Sequence, residues 1–270
     1  VAFDFPGSPV LNQVWTAPTG QGYTWSGTAW NLSSPATSQT ATARSKNFVI
    51  NPSMQHSQEN GNTAGTTTGY YPADQWRMDL SGIVMQVNRP GAAAAGPSPE
   101  GSLSVGMLAT TAKGSLAAGD FAQLAQPLEG NQIADLAWGT AKAKPAVLRF
   151  NVYPPVAGTY NFSILSGGTD ESYIGSYVVT TPNVWQTVVA AIPVPPAGTW
   201  ASDNTVAAYV RFAYATGTSF VGVAGWQGGN KMAVTQPNLA AVTNQILFVT
   251  DVALYADPNN TGLPAPFQVP

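Results

Sequence analysis

The residues able to do acid–base chemistry are few. The only imidazole is His56, set between Gln55 and Ser57 in a polar stretch. A serine–histidine–acid relay needs that histidine as its base, and a lone loop histidine is ordinarily just solvated. No Gly-x-Ser-x-Gly, His-Glu-x-x-His or phosphate-loop pattern occurs. A glycosidase needs two carboxylates flanking one sugar bond. Among the thirteen acids, Glu129 and Asp135 are close in sequence. Asp170 and Glu171 are adjacent, so on a strand they face opposite sides. The expectation is a protein without enzymatic activity.

Sugar binding is the sharper expectation. Sugars present C–H faces that flat aromatic rings complement, while amides and hydroxyls read the sugar's own hydroxyls. Glycine-rich and polar stretches carry Tyr70, Tyr71, Trp138, Trp200 and Trp226. In Gly225-Trp226-Gln227-Gly228-Gly229-Asn230 a tryptophan sits among small and amide residues. The candidate glycan-binding residues are therefore Trp226, Gln227, Asn230, Trp138, Tyr70 and Tyr71. The competing expectation for each ring is that it caps a sandwich edge, because aromatics are a main burial resource of such folds.

Elements that position these residues read as strands. Leu148, Phe150 and Val152 alternate with Val147, Arg149 and Asn151; Tyr160, Phe162 and Ile164 alternate with Thr159, Asn161 and Ser163. Tyr173, Tyr177 and Val179 share a face broken by Gly175, and Ala208, Val210, Phe212 and Tyr214 form another row. Ile246, Phe248, Thr250, Val252 and Leu254 make the last and longest row. Period-two patterning places one side on a core. Turn signals such as Pro154-Pro155, Ser166-Gly167-Gly168 and Pro195-Pro196-Ala197-Gly198 separate the rows, which points to a sandwich or barrel. Ser115 to Gln126 is the best helical stretch. Gly119 interrupts it and Pro127 ends it, so it reads as a strand with flanking loops.

Charged residues make up 9% of the chain, against ~25% in an average soluble domain. Disorder is not expected, since it needs high charge and few aromatics, and aromatics here are 10%. The net charge is −3 and the ten basic residues are scattered, whereas nucleic-acid binding needs a basic stripe. With no cysteine, disulfides and thiolate metal sites are excluded. No apolar run is long enough to insert into a membrane. Val1-Ala2-Phe3-Asp4 lacks the pattern of a signal peptide. Residues 33–46 hold no large apolar side chain and suit a linker. Residues 257–270 hold four prolines and read as an extended tail. Ahead of the linker, residues 1–32 crowd Trp15, Tyr23, Trp25 and Trp30 into a unit of short strands.

Within that unit, Phe5-Pro6-Gly7-Ser8-Pro9, Asn12-Gln13 and Tyr23-Thr24-Trp25-Ser26-Gly27-Thr28-Ala29-Trp30 resemble a short hairpin unit recurrent in tailed-phage structural proteins. Residues 47–256 resemble the carbohydrate-binding-module-like jelly roll of phage tail-fibre and minor virion proteins. The resemblance rests on Asn47-Phe48-Val49-Ile50-Asn51-Pro52-Ser53-Met54, on Gln126-Pro127-Leu128-Glu129-Gly130 and on the closing Val249-Thr250-Asp251-Val252-Ala253-Leu254. It implies an all-β, two-sheet antiparallel jelly roll over 47–256, preceded by a small β-hairpin unit over 1–32. It further implies a virion structural protein of tail-fibre, spike or head-decoration type, located on the phage particle surface. Trp15, Tyr23, Trp25 and Trp30 would serve attachment to other virion proteins, and a homotrimer is the expected assembly. The jelly roll would face host-surface polysaccharide. Met54-Gln55 stands where relatives carry Phe-Glu, which removes one calcium ligand. No cofactor is expected, and a structural calcium is left with Asp251 as its one candidate ligand. The competing class is a secreted bacterial carbohydrate-binding or glycan-degrading protein.

Overall fold

β-branched and aromatic residues at alternate positions favour pleated pairing, and the chain folds accordingly. A computed structural model describes residues 5–11, 13–16, 22–32, 46–89 and 95–267. Its strands are β1 (Val14–Thr16), β2 (Gly22–Trp25), β3 (Trp30–Leu32), β4 (Tyr70–Ala73), β5 (Trp76–Ser81), β6 (Met85–Asn88), β7 (Val105–Ala109) and β8 (Phe121–Glu129). They continue as β9 (Ala146–Tyr153), β10 (Gly158–Ser166), β11 (Glu171–Val179), β12 (Gln186–Ile192), β13 (Val206–Thr216), β14 (Gly225–Gly228) and β15 (Leu247–Ala256). One short helix, α1 (Gly130–Ile133), follows β8. No described helix is long and apolar enough to cross a membrane.

Two compact units result, Val1–Ser45 and Lys46–Pro270. In the first, β1, β2 and β3 form an antiparallel sheet. The register pairs Trp15 with Tyr23 and Trp25 with Trp30. Phe5 lies over the resulting aromatic row, stacked on Trp30 at 5.4 Å and 4.7 Å from Trp15. Residues 33–45 of the expected linker lie outside the described residues.

The second unit is a jelly-roll sandwich of antiparallel sheets. The large sheet has the order β14-β11-β10-β13-β8-β5-β4, the small one β12-β9-β15-β7-β6. Trp76, Met78, Leu124, Phe150, Phe162, Val210, Phe212 and Leu254 fill the space between them. Phe162 lies so close to β11 that a Cβ on Gly175 would stand 2.1 Å from its ring. The opening motif is tied to the closing strand: Asn47 Oδ1 accepts from the backbone N–H of Leu254 and of Val49, both at 3.0 Å. Gln126, buried in β8, donates to Ile50 O and accepts from Ile50 N, both at 2.8 Å.

The last strand departs from the expected row. A bulge lies between Thr250 and Ala253, with Asp251 at φ 53°. Core contact therefore passes from Leu247 and Val249 to Val252 and Leu254. A bulge adds one residue to one strand and so shifts the alternation by one. The tail is not free-running either. Asp257 accepts backbone N–H bonds from Thr261 and Gly262 at 2.9 and 2.7 Å, and Arg149 lies 5.0 Å over the Phe267 ring.

Candidate functional site: a groove on the outer face of the large sheet

Because Trp76 and Met78, Leu124, and Val210 and Phe212 point into the core, their neighbours point outward. Register then sets the neighbours side by side. Arg77 pairs with Ala125 and Asp79 with Gln123 across β5 and β8. Arg211 pairs with Ala125 across β13 and β8, and Leu165 with Tyr209 across β10 and β13. The segment after β13 folds over the β10–β11 part of this face. Gln236 Nε2 donates to Ala213 O at 2.9 Å, and the Val234 N–H donates to Asn161 Oδ1 at 3.2 Å. Beyond that segment Gln123 and Ala125 on β8 are buried, while Arg77 and Asp79 on β5 stay partly exposed. The result is a groove of about 260 Å³ lined by Arg77, Asp79, Phe121, Gln123, Leu165, Tyr209, Arg211, Asn230 and Met232, with Thr68 and Thr169 at its rim.

Its floor is polar and partly unsatisfied. Arg77 forms an ion pair with Asp79, Nη2 donating to Oδ2 at 3.1 Å and Nε standing 2.9 Å from Oδ1 without hydrogen-bond geometry. Burial pulls the Arg77 guanidinium down, but the Asp79 pair outweighs it and holds the group above its usual value. Arg211 is 1% exposed. It donates to Asn230 Oδ1 at 2.6 Å and to Lys231 O. Burial lowers its guanidinium to about 9, against the partial support of the Asp79 charge. The Nε of Arg211 and the Oε1 of Gln123 are buried and have no hydrogen-bond partner in the protein. Leaving such atoms unpaired costs about 1–3 kcal/mol each, so a concave site that collects them is suited to a polar ligand.

No protein-family model matches the chain, and no curated protein matches it. Solved structures match at low similarity. The enzymatically active domain of tailspike protein 4 from bacteriophage CBA120 is 11% identical with a TM-score of 0.37, over 78% of this chain and 21% of that one. The chain thus spans about a fifth of the tailspike structure. The family 11 carbohydrate-binding module from Clostridium thermocellum, in complex with a beta-1,3-1,4-mixed-linked tetrasaccharide, is 15% identical with a TM-score of 0.37, over 72% and 95%. The TmCBM61 module, in complex with beta-1,4-galactotriose, is 10% identical with a TM-score of 0.38, over 79% and 100%. Likeness of this degree assigns neither ligand nor activity to the chain.

The residues singled out from sequence fall into three places. Asn230 lines the groove, whereas Tyr71 on β4 lines a separate depression and adds to the interactions that raise Arg77. Trp138 and Trp226 lie elsewhere, in a cluster with Trp200. Their centroids are 4.9 to 6.0 Å apart and every pair is edge-to-face. All three indole N–H groups donate to backbone carbonyls at 2.8 Å, those of Lys144, Ala197 and Pro193. With edges set against faces and donors used, this cluster pins loops. Gln227 and Tyr70 are also spent locally. Gln227 accepts from Val223 N and donates to Val223 O, and Tyr70 donates to Thr63 O at 2.7 Å.

The acids form no catalytic pair in the groove, where Asp79 is the one carboxylate among the lining residues. Glu129 is the N-cap of α1, and exposed Asp135 lies 3.9 Å from Lys46. Hydrogen bonds from Ser166 and Thr199 hold Asp170 well below the usual carboxylate range, whereas burial, then the Asp170 charge, pushes Glu171 up. His56 is exposed. Asp251 is buried and accepts from Ser98 Oγ and Asn151 Nδ2, both at 2.7 Å, through one oxygen, while its other oxygen has no partner. No group of three or more His, Cys, Asp or Glu gathers at Asp251 or elsewhere among the described residues.

Sequence reasoning passed over Arg77, Asp79, Gln123, Tyr209 and Arg211. A signal was present. Arg211 falls between Val210 and Phe212, and Arg77 between Trp76 and Met78. A charged residue alternating with core residues marks the outward face of its strand.

Proposed function

We propose that the larger unit is a non-catalytic glycan-binding module, displayed by a structural protein of a tailed-phage virion. The observation that carries the binding reading is the groove itself. It sets an aromatic side chain, Tyr209, beside an Arg77–Asp79 pair, two amides and a buried arginine. An apolar ring face next to planar hydrogen-bonding groups matches the two-sided chemistry of a sugar. A lone groove carboxylate already bound by arginine supports binding over hydrolysis, which needs two.

The virion reading rests on the first unit and on the sequence resemblance. Phe5, Trp15, Tyr23, Trp25 and Trp30 pack against one another, which gives a small sheet a core of its own. Val10, Leu11 and Val14 are each about two-thirds exposed and supply an apolar attachment surface for another virion protein. Assembly as a homotrimer on the particle surface completes this reading, and light scattering of the purified chain tests it.

Glycan-array screening of the intact chain and of Tyr209→Ala tests the binding reading. Selective retention by the parent, lost in the variant, is expected. Retention that survives in Tyr209→Ala moves the site away from this groove. Immunogold microscopy with antibody to residues 47–256 should label phage particles at a fixed place. Unlabelled particles with the protein free in the medium would support the secreted bacterial alternative.

A further inference from the structure

The charge balance of the groove narrows the ligand class, given the glycan-binding reading. Two guanidinium groups, Arg77 and Arg211, face one carboxylate, Asp79. Arg77 and Arg149 each have a carboxylate partner, Asp79 and Glu100. Arg211, the most buried basic residue described, forms no ion pair. One positive charge is therefore left over where water is partly excluded. The neighbouring Lys231 adds to the same sign, its ammonium held on Ser219 O at 2.9 Å. Glu59 and Asp74 line a separate depression that Tyr71 borders.

A desolvated guanidinium gains most from an anion it can meet through two parallel N–H bonds, and a carboxylate has that shape. Neutral sugar hydroxyls would engage the same donors without offsetting the charge. We propose that the groove takes an acidic polysaccharide, with the carboxylate of a uronic acid residue set against the partly exposed Arg77, above the buried charge of Arg211, and the sugar ring against Tyr209.

Calorimetric titration of the intact chain tests this with four probes: an oligogalacturonate, its methyl ester, a neutral galacto-oligosaccharide and a sulfated galactan. The acid should bind about tenfold tighter than the ester, the factor expected when a hydrogen bond gains a full charge. Its affinity should also fall about threefold as salt is raised from about 50 to about 300 mM. Arg211→Gln should bring acid and ester to similar affinity. Should that variant fail to fold, Asp79→Asn answers the same question, because removing the competing carboxylate should raise the acid-over-ester ratio about threefold. Equal binding of acid and ester would overturn the uronate assignment and leave the glycan reading standing. Tighter binding of a sulfated galactan would hand the same guanidiniums to a sulfate ester and overturn it too. No binding of any glycan would overturn both readings.

Discussion

Replacing Arg211 by Met separates what the groove contributes to stability from what it does for a ligand. Burial holds the Arg211 guanidinium at about 9. A drop of that size from the ordinary arginine value corresponds to about 5 kcal/mol against the charged form. Its hydrogen bonds to Asn230 and Lys231 O return about 1.5–3 kcal/mol each. The two sides nearly cancel. Met keeps most of the apolar stem and introduces no polar atom that needs a partner. Arg211→Met should therefore unfold in urea within about 2 kcal/mol of the parent. Arg211→Ala, which also empties the space of the stem, should lose about 2–5 kcal/mol. The sign with pH follows. A folded-state value below the unfolded one means the unfolded chain holds the proton more tightly. The cost of the charge is full below about 9 and fades as pH rises from there, so the comparison shifts toward the parent in alkali. Tryptophan fluorescence and far-ultraviolet circular dichroism should report coincident transitions for the larger unit. A loss above about 4 kcal/mol in Arg211→Met would falsify this reasoning, because Arg211 would then be a structural keystone rather than a group held ready for a ligand.

Three further perturbations test the frame around the groove. Gly175→Ala places a methyl 2.1 Å from the fully buried Phe162 ring and should cost about 3 kcal/mol in urea unfolding; a neutral result would mean the ring can leave its pocket freely. Trp200→Ala removes the ring that meets Trp138 and Trp226 edge-on. It should cost about 3 kcal/mol while changing groove affinity less than about twofold, and loss of glycan binding at unchanged stability would turn the cluster into a ligand platform. In alkali, burial raises Tyr160 and Tyr214 to about 12 and raises Tyr177 further. Groups raised in the folded state stabilise below their unfolded value and lose that contribution above it. Stability should fall from about pH 10 upward, with Tyr160 and Tyr214 together removing about 5 kcal/mol by about pH 12. A flat profile from pH 10 to 12 by circular dichroism would contradict their burial.

The sandwich was legible because each strand carries its own alternation. Tyr173, Tyr177 and Val179 do share a face interrupted by Gly175, and the interruption has a steric cause in Phe162. The last row was less legible, since nothing local announces that Asp251 takes a left-handed conformation and shifts the pattern. Alternation also implied which face Arg77, Tyr209 and Arg211 occupy. What it could not supply is the strand order β13-β8-β5, which brings residues far apart in sequence into adjacent rows. Long-range pairing of this kind is decided by the whole core rather than by neighbouring residues. The prominent tryptophans drew attention for a sound reason, since ring faces complement sugars. In this sandwich, though, the loop carbonyls of Lys144, Ala197 and Pro193 claim their N–H groups.

Comparing the two outward faces explains why one of them is the candidate site. On the small sheet, Arg149 is paired with Glu100 and set against Phe267. Asn151 links Thr187 to Asp251, and Asp251 takes a further bond from Ser98. Residues 95–104 and the tail thus spend much of the polar capacity of that face within the chain, Asp251 Oδ1, Ser102 Oγ and Arg149 Nη1 excepted. On the large sheet Arg77 and Asp79 of β5 stay partly exposed. Arg211 is anchored there by Asn230 and Lys231 but lacks a counter-charge. Arg211 is buried and Arg149 is partly buried on the other sheet, and of the two Arg149 is the one neutralised by a carboxylate of the protein itself. A desolvated charge left without a counter-charge beside a half-buried tyrosine is costly as a pure scaffold feature, and an anionic group of a ligand in the groove above it offsets that cost.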